Sequence, residues 1–256
     1  MSIALAVDGP VARLRIDRAA KRNAFTLAMW EALPGLIAQA VDDPGVRVIV
    51  LESTTPGIFC AGADIGELLE RSGDADWRAA NQAAINRAQW DLTRAPKPVI
   101  AFVDGDCVGG GCGLALACDL RIATPRARFG ITPAKLGLVY PLHDTKLLID
   151  LVGPAQAKRI LFTGALLDAE EARRIGLVDE IAGSPDVMIE AIASVSPHSA
   201  REAKAMVRRV LDGQAEDDSA TRAIFAEAFT LPDFAEGVRA FTEKRPPRFG
   251  PKLGSG

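Results

Sequence analysis

DGDCVGGGCGLALACD, residues Asp104 to Asp119, decides the fold. It follows the apolar run Val99 to Val103, which reads as a buried strand, and it leads into Leu114-Ala115-Leu116-Ala117, which suits a buried helix of small residues. Strand, glycine turn, helix is the local expectation. Gly109, Gly110 and Gly111 carry no Cβ atoms to hold a ligand off the backbone, and they stand where the first N–H groups of a helix lack intrahelical partners. Such a turn can hold developing negative charge, cradle phosphate, or simply let a helix pack closely on a sheet. A nucleotide fingerprint is not matched, because the G-x-G-x-x-G spacing is missing and no Lys-Ser/Thr follows the glycines.

Around that stretch lie 256 residues, 48% hydrophobic and 25% charged, enough to bury a sizeable core in one large domain or one domain with an appendage. The net charge of −3 and the lack of a basic stripe with interleaved aromatics argue against nucleic acid as a partner. Cys60, Cys107, Cys112 and Cys118 form no C-x-x-C pair, and with His143 and His198 as the two histidines no zinc site is expected. Reduced, packed thiols in a cytosol are expected instead. The start, MSIALAVDGP, has no cationic segment before an apolar one, and no apolar run reaches the ~18 residues of a membrane span. A soluble, cytoplasmic protein without a membrane partner is expected.

In chain order, Ile3 to Val7 and Val11 to Ile16 read as strands about an Asp8-Gly9-Pro10 turn. Leu27, Trp30, Leu33, Ile37 and Val41 recur at helical spacing behind a Thr26 cap, with Pro34 inside. Val46 to Leu51 is a strand, Asp76 to Arg94 a polar helix, and Leu120 to Ala123 and Ala127 to Phe129 are short strands. This alternation predicts an α/β fold with parallel strands and helical crossovers. After Pro141 the pattern turns helical: Lys146 to Val152, Pro154 to Phe162, Asp168 to Ile175, Asp186 to Ser194, Pro197 to Leu211, Ser219 to Leu231 and Pro232 to Thr242, broken by a Leu177 to Ile181 strand.

Five ordered segments resemble the crotonase (enoyl-CoA hydratase/isomerase) superfamily. Phe59 to Ile65 (FCAGADI) resembles its F-x-A-G-x-D-[IL] signature, and Lys97-Pro98-Val99-Ile100-Ala101 through Asp119 resembles its K-P-V-I-A…G-G-G…CD block. Arg22-Asn23-Ala24-Phe25, Phe162-Thr163-Gly164 with Ala169 to Val178, and Phe241 to Pro247 resemble three further family stretches. The resemblance implies a crotonase spiral of ββα units over residues 1–195, and a helical trimerisation region over 196–256 that builds a homotrimer or homohexamer. It also implies an acyl-CoA substrate, with coenzyme A part of that substrate and no separate cofactor or metal. The thioester oxygen is expected between the backbone N–H groups of Ala63 and Gly110. Substrate contacts are expected at Ala61, Gly62, Asp64, Ile65, Gly109, Gly113 and Pro133, with Lys21, Arg22 and Lys244 from a neighbouring subunit near the phosphates. Asp64 also reads as the cap of a helix starting near Ile65.

The chain departs from the family at both hydratase glutamates, whose positions hold Gly113 and Pro133. Neither residue transfers a proton, so the ~10²–10⁴-fold that each positioned acid or base supplies is missing from those places. Thr132-Pro133-x-x-Leu136-Gly137-x-x-Tyr140 resembles the methylmalonyl-CoA decarboxylase branch, although that branch has a histidine at the position of Ala63. Loss of carbon dioxide needs no base, only an enolate site and one weak acid, and Tyr140 with His143 fits that need. A decarboxylase-type lyase or an isomerase is therefore expected, with decarboxylation of a malonyl-type thioester first among them. The alternatives are a hydratase or isomerase whose acid/base lies elsewhere, at Glu67 or Asp144, and a silent CoA-binding member of the family. Tyr140 also reads as a core aromatic, and His143 as a loop histidine.

Overall fold

The computed structural model describes residues 2–250. They form two compact units, one running to Ala95 and from Val99 to Pro185, the other made of Pro96–Pro98 and the chain from Asp186 onward.

In the first unit β1 (Ile3–Asp8) and β2 (Val11–Ile16) form the expected hairpin, with Asp8 opposite Val11 and Gly9 at φ 53° in the turn. α1 (Leu27–Asp42) buries Met29, Trp30, Leu33, Ile37 and Ala40, the face that the apolar spacing predicts, with Pro34 inside it. Then come β3 (Val48–Ser53), β4 (Ile58–Cys60), α2 (Ile65–Arg71), α3 (Ala75–Arg94), β5 (Val99–Val103), β6 (Asp106–Val108), α4 (Gly110–Leu116), β7 (Leu120–Ala123) and β8 (Arg128–Gly130). α5 (Leu142–Thr163), β9 (Leu166–Asp168), α6 (Ala169–Arg174) and β10 (Glu180–Ile181) complete the unit.

From β3 to β8 successive strands alternate between two sheets. The larger runs β1-β2-β3-β5-β7-β10, parallel from β2 onward, and the smaller runs β4-β6-β8-β9, antiparallel between β8 and β9. β3 shows why the central strands read as unbroken apolar runs: Val48, Ile49, Val50 and Leu51 are all fully buried, as parallel strands covered on both faces must be.

Two expectations are corrected here. The strand entering the glycine turn is β6, because Gly105 at φ 89° reverses the chain after Val103. A Cβ on Gly105 would lie 1.9 Å from the Gly57 carbonyl oxygen, so only glycine lets these two loops meet. The two helices expected over 146–162 are both present within the span α5, separated by a kink where Gly153 leaves helical geometry at φ 72° and Pro154 starts the second helix. The strand expected over 177–181 shrinks to Glu180–Ile181, because Leu177 and Val178 donate to the Ala172 carbonyl and close the end of α6 instead.

The second unit holds α7 (Asp186–Ala193), α8 (Pro197–Leu211), α9 (Ser219–Ala228) and α10 (Pro232–Thr242). Ser196 caps α8 through its hydroxyl, and Asp218 with Thr221 forms a capping box on α9. Phe225, Phe229, Phe234 and Phe241 are exposed on α9 and α10 and on the turn between them.

Candidate active site

Phe25 and Ala63 form an isolated parallel bridge, in which Phe25 N–H donates to Gly62 O at 2.7 Å and Asp64 N–H donates to Phe25 O at 2.9 Å. Backbone direction alternates along such a segment, so the Ala63 N–H points away from Phe25. On the far side lies the start of α4. Gly110 is its first residue, so its N–H has no intrahelical acceptor. Gly62, at φ 95°, meets this turn closely: a Cβ on it would lie 2.8 Å from Val108 O and 3.0 Å from Gly110 N. A Cβ on Gly110 would stand 3.7 Å from Ala63 N. Gly62, Ala63, Gly109 and Gly110 thus lie side by side, and the Ala63 and Gly110 N–H groups belong to two different loops that meet here. Fixed donors of this kind stabilise an oxyanion without reorganising.

Gly111 is part of the same helix, and a Cβ there would lie 2.4 Å from the Cys60 carbonyl oxygen. The buried thiols pack beneath: Cys112 donates to Cys107 O at 3.1 Å, and burial pushes Cys60 up to about 12 and Cys107 well above the usual thiol range. Protonated thiols of this kind are packing groups, not nucleophiles.

Asp64 accepts from the Glu67 N–H at 3.1 Å and pairs with Arg18 at 2.6 Å. The Arg18 guanidinium holds its carboxyl below the usual carboxylate range. Asp64 is thus the cap of α2, with Ile65 exposed as its first residue. Glu67 accepts from Leu27 N–H at 2.9 Å and so closes the start of α1. Lys21 is exposed, while Arg22 pairs at 2.6 Å with Asp106, which Arg128 also holds. Lys244 follows α10 in the second unit, at φ 51°. Asn23, quoted in the sequence only as part of a motif, is fully buried: it accepts from Arg18 N–H and donates to Ser53 Oγ, Ile58 O and Phe59 O. Its role in tying the Arg22 loop to β4 has no periodic signal.

One turn along α4 from Gly110 is Gly113. A Cβ there would lie 2.4 Å from Gln89 Nε2, 2.6 Å from Asp144 Oδ1 and 3.5 Å from the Tyr140 hydroxyl. Gln89, buried on α3, donates to Asp144 Oδ1 at 2.7 Å, and Asp144 is 2% exposed in the first turn of α5. Burial raises its pKa, opposed by the Gln89 bond and by His143 nearby. Burial and Asp144 together hold Tyr140 well above the ordinary phenol range. Gln89 Oε1, His143 Nε2 and, near Gly110, the indole N–H of Trp30 are buried without a partner, and the Tyr140 hydroxyl faces the Asp144 carboxyl. Tyr140, His143 and Gln89 thus lie around Asp144, Gln89 without any mark in the sequence. Pro133 opens a short 3-10 turn and, with Ala134, Leu138, Val139, Tyr140 and Leu161, lines a pocket of about 310 Å³.

No helix among the described residues is long and apolar enough to cross a membrane, and no group of three His, Cys, Asp or Glu among them is placed to hold a metal ion.

Residues 7–252 match the family model described as enoyl-CoA hydratase/isomerase. The rat mitochondrial methylglutaconyl-CoA hydratase is 32% identical over 250 residues, covering 92% of this chain and 78% of that one. A Hyphomonas neptunium crystal structure assigned to the enoyl-CoA hydratase/isomerase family superposes with a TM-score of 0.94 at 39% identity over 98% of both chains. A Magnetospirillum magneticum structure titled enoyl-CoA hydratase/carnithine racemase gives 0.92 at 30% identity, covering 98% of this chain and 96% of that one. The fold is the crotonase fold, and the chain belongs to the enoyl-CoA hydratase/isomerase family.

Proposed function

We propose that the chain is an enzyme that turns an acyl-CoA thioester into an enolate held by the Ala63 and Gly110 N–H groups, and completes the reaction by moving a proton without adding water. It is on this account a decarboxylase-type lyase or an isomerase. The observation that carries the reading is the close approach of the Gly62–Ala63 and Gly109–Gly110 backbone, together with Gly113 and Pro133 at the two positions where a hydratase of the family keeps glutamates. Water addition needs a base to activate water and an acid to protonate the α-carbon. Enolate formation by loss of carbon dioxide needs only the acid, and movement of a double bond needs one group that takes and returns the same proton.

The CoA phosphates are assigned to Lys21 and Arg22 with Lys244 of a neighbouring subunit, and the acyl chain to the pocket beside Pro133 and Tyr140. Exposed Phe225, Phe229, Phe234 and Phe241 support assembly as a homotrimer or homohexamer, since apolar surface of that extent favours a partner.

The test is a panel of malonyl-, methylmalonyl-, β,γ-enoyl- and crotonyl-CoA followed by mass spectrometry and absorbance. Turnover of a malonyl-type or β,γ-unsaturated thioester, with crotonyl-CoA left unhydrated, is expected. Rapid hydration of crotonyl-CoA, or no binding of any CoA thioester, overturns the reading.

A further inference from the structure

We propose that Asp144, held by Gln89 in the space that Gly113 leaves open, is the catalytic group that takes and returns the substrate's α-proton. The inference rests on the enolate reading above and names the group that serves it.

Gly113 does not leave a void. The side-chain volume it vacates, one helical turn from Gly110, is filled by a carboxyl from α5 and an amide from α3, 2.6 Å and 2.4 Å from the point where a Cβ would stand. The carboxyl lost from the helix after the glycine turn is thus replaced by one delivered from another element. Gln89 fixes only Oδ1. The carboxyl also interacts with the Tyr140 hydroxyl, which favours its anion, while His143 Nε2 and Gln89 Oε1 beside them are buried without a partner. Unpaired buried polar atoms are rare in native folds, and catalytic sites are one place where they are kept.

The electrostatics fit a proton carrier. Burial favours the neutral acid, whereas the Gln89 bond and the place of Asp144 in the first turn of α5 favour the anion. Burial is the larger effect, so the pKa stands above the ordinary aspartate value, the direction that makes a carboxyl a better base. The groups facing it are Gln89 from α3, Tyr140 and His143 at the entry to α5, and the Cys107 and Cys112 thiols below Tyr140.

The step balances without a co-reactant. The Asp144 carboxylate takes the proton from the α-carbon, and the C–H electron pair moves into the thioester carbonyl to give the enolate. The carboxylic acid then returns that proton, either to the α-carbon or to the γ-carbon of a β,γ-unsaturated acyl chain as the double bond moves. The substrate class is therefore a thioester with a free α-hydrogen, and Gln89 is the positioning residue.

Exchange of the α-hydrogens of butyryl-CoA in deuterium oxide, followed by mass spectrometry, reads this step apart from turnover. Wild type is expected to exchange, Asp144→Asn to exchange ~10²–10⁴-fold more slowly while butyryl-CoA still raises its melting temperature, and Asp144→Glu to recover part of the rate. Gln89→Leu should move the midpoint of the pH–rate profile upward, because it removes a bond that favours the anion; an unmoved midpoint contradicts the proposal even if Asp144→Asn fails to fold. Exchange as fast in Asp144→Asn as in wild type overturns the assignment and leaves the enolate reading standing. Wild type that binds butyryl-CoA yet neither exchanges nor turns over any thioester overturns both.

Discussion

Gln89 Nε2 donates to Asp144 Oδ1 at 2.7 Å inside the volume that a side chain on Gly113 would occupy. The absence of a side chain on α4 and the presence of a buried carboxyl on α5 are thus one feature. Gly113→Ala must push both side chains aside, because its Cβ would stand far inside their contact distance. We expect a loss of about 1–3 kcal/mol in denaturant unfolding, the usual cost of overpacking a buried site. We also expect a fall in α-hydrogen exchange. An unchanged stability would show that the pair moves without cost.

Asp144 should also weaken the fold as pH rises. Burial raises its native pKa above the value of about 3.9 that an unfolded aspartate shows. Between those two values the native chain holds a proton that the unfolded chain releases. The stability from this group is fully present below the unfolded pKa and is lost as pH rises through the native one. Asp144→Asn should therefore gain stability relative to wild type from acid toward neutral pH while losing its function. Urea unfolding of both proteins over that range checks the sign, and a constant difference contradicts it.

Much of this arrangement is legible in the sequence where a local rule acts alone. α8 and α10 fall on their expected residues because each opens with proline in its first turn. The glycine turn and the Phe59 to Ile65 stretch locate the two backbone donors, since each position needs a residue without a bulky side chain. The rest depends on contacts between elements. β4 and β6 are three residues long, too short to show a period. Gln89 sits in a polar helix among other amides, and nothing in its neighbours marks it as the buried one. Asp144 reads as an ordinary acid complementing a helix start, so its partnership with Gly113 emerges only when α4 and α5 are packed.

Arg121 supplies a test of the fold independent of the site. Its side chain is 1% exposed and donates to Leu177 O at 2.8 Å, Cys118 O at 3.0 Å and Asp179 at 2.8 Å, joining β7 to the segment before β10. Arg121→Met strips those acceptors of their donor and should cost about 1–3 kcal/mol, the penalty for leaving buried polar groups unsatisfied, since Asp179 itself keeps partial access to water. Chemical denaturation reads it, and a cost below 1 kcal/mol (~) would mean that water replaces the guanidinium freely.

Gly110→Pro removes one of the two proposed backbone donors at a helix position that accepts proline. Loss of a single such donor typically raises the barrier by about 2.7–4 kcal/mol, a ~10²–10³-fold drop in turnover. Turnover within a factor of about two of wild type would remove Gly110 N–H from the chemistry.

The central claim is enolate chemistry without water addition, and it is tested most directly by following a β,γ-unsaturated butenoyl-CoA in deuterium oxide enriched in heavy oxygen. The account predicts deuterium in the acyl chain, with the double bond moved and no heavy oxygen incorporated. Heavy oxygen appearing in a β-hydroxyacyl product as fast as the substrate disappears would contradict it.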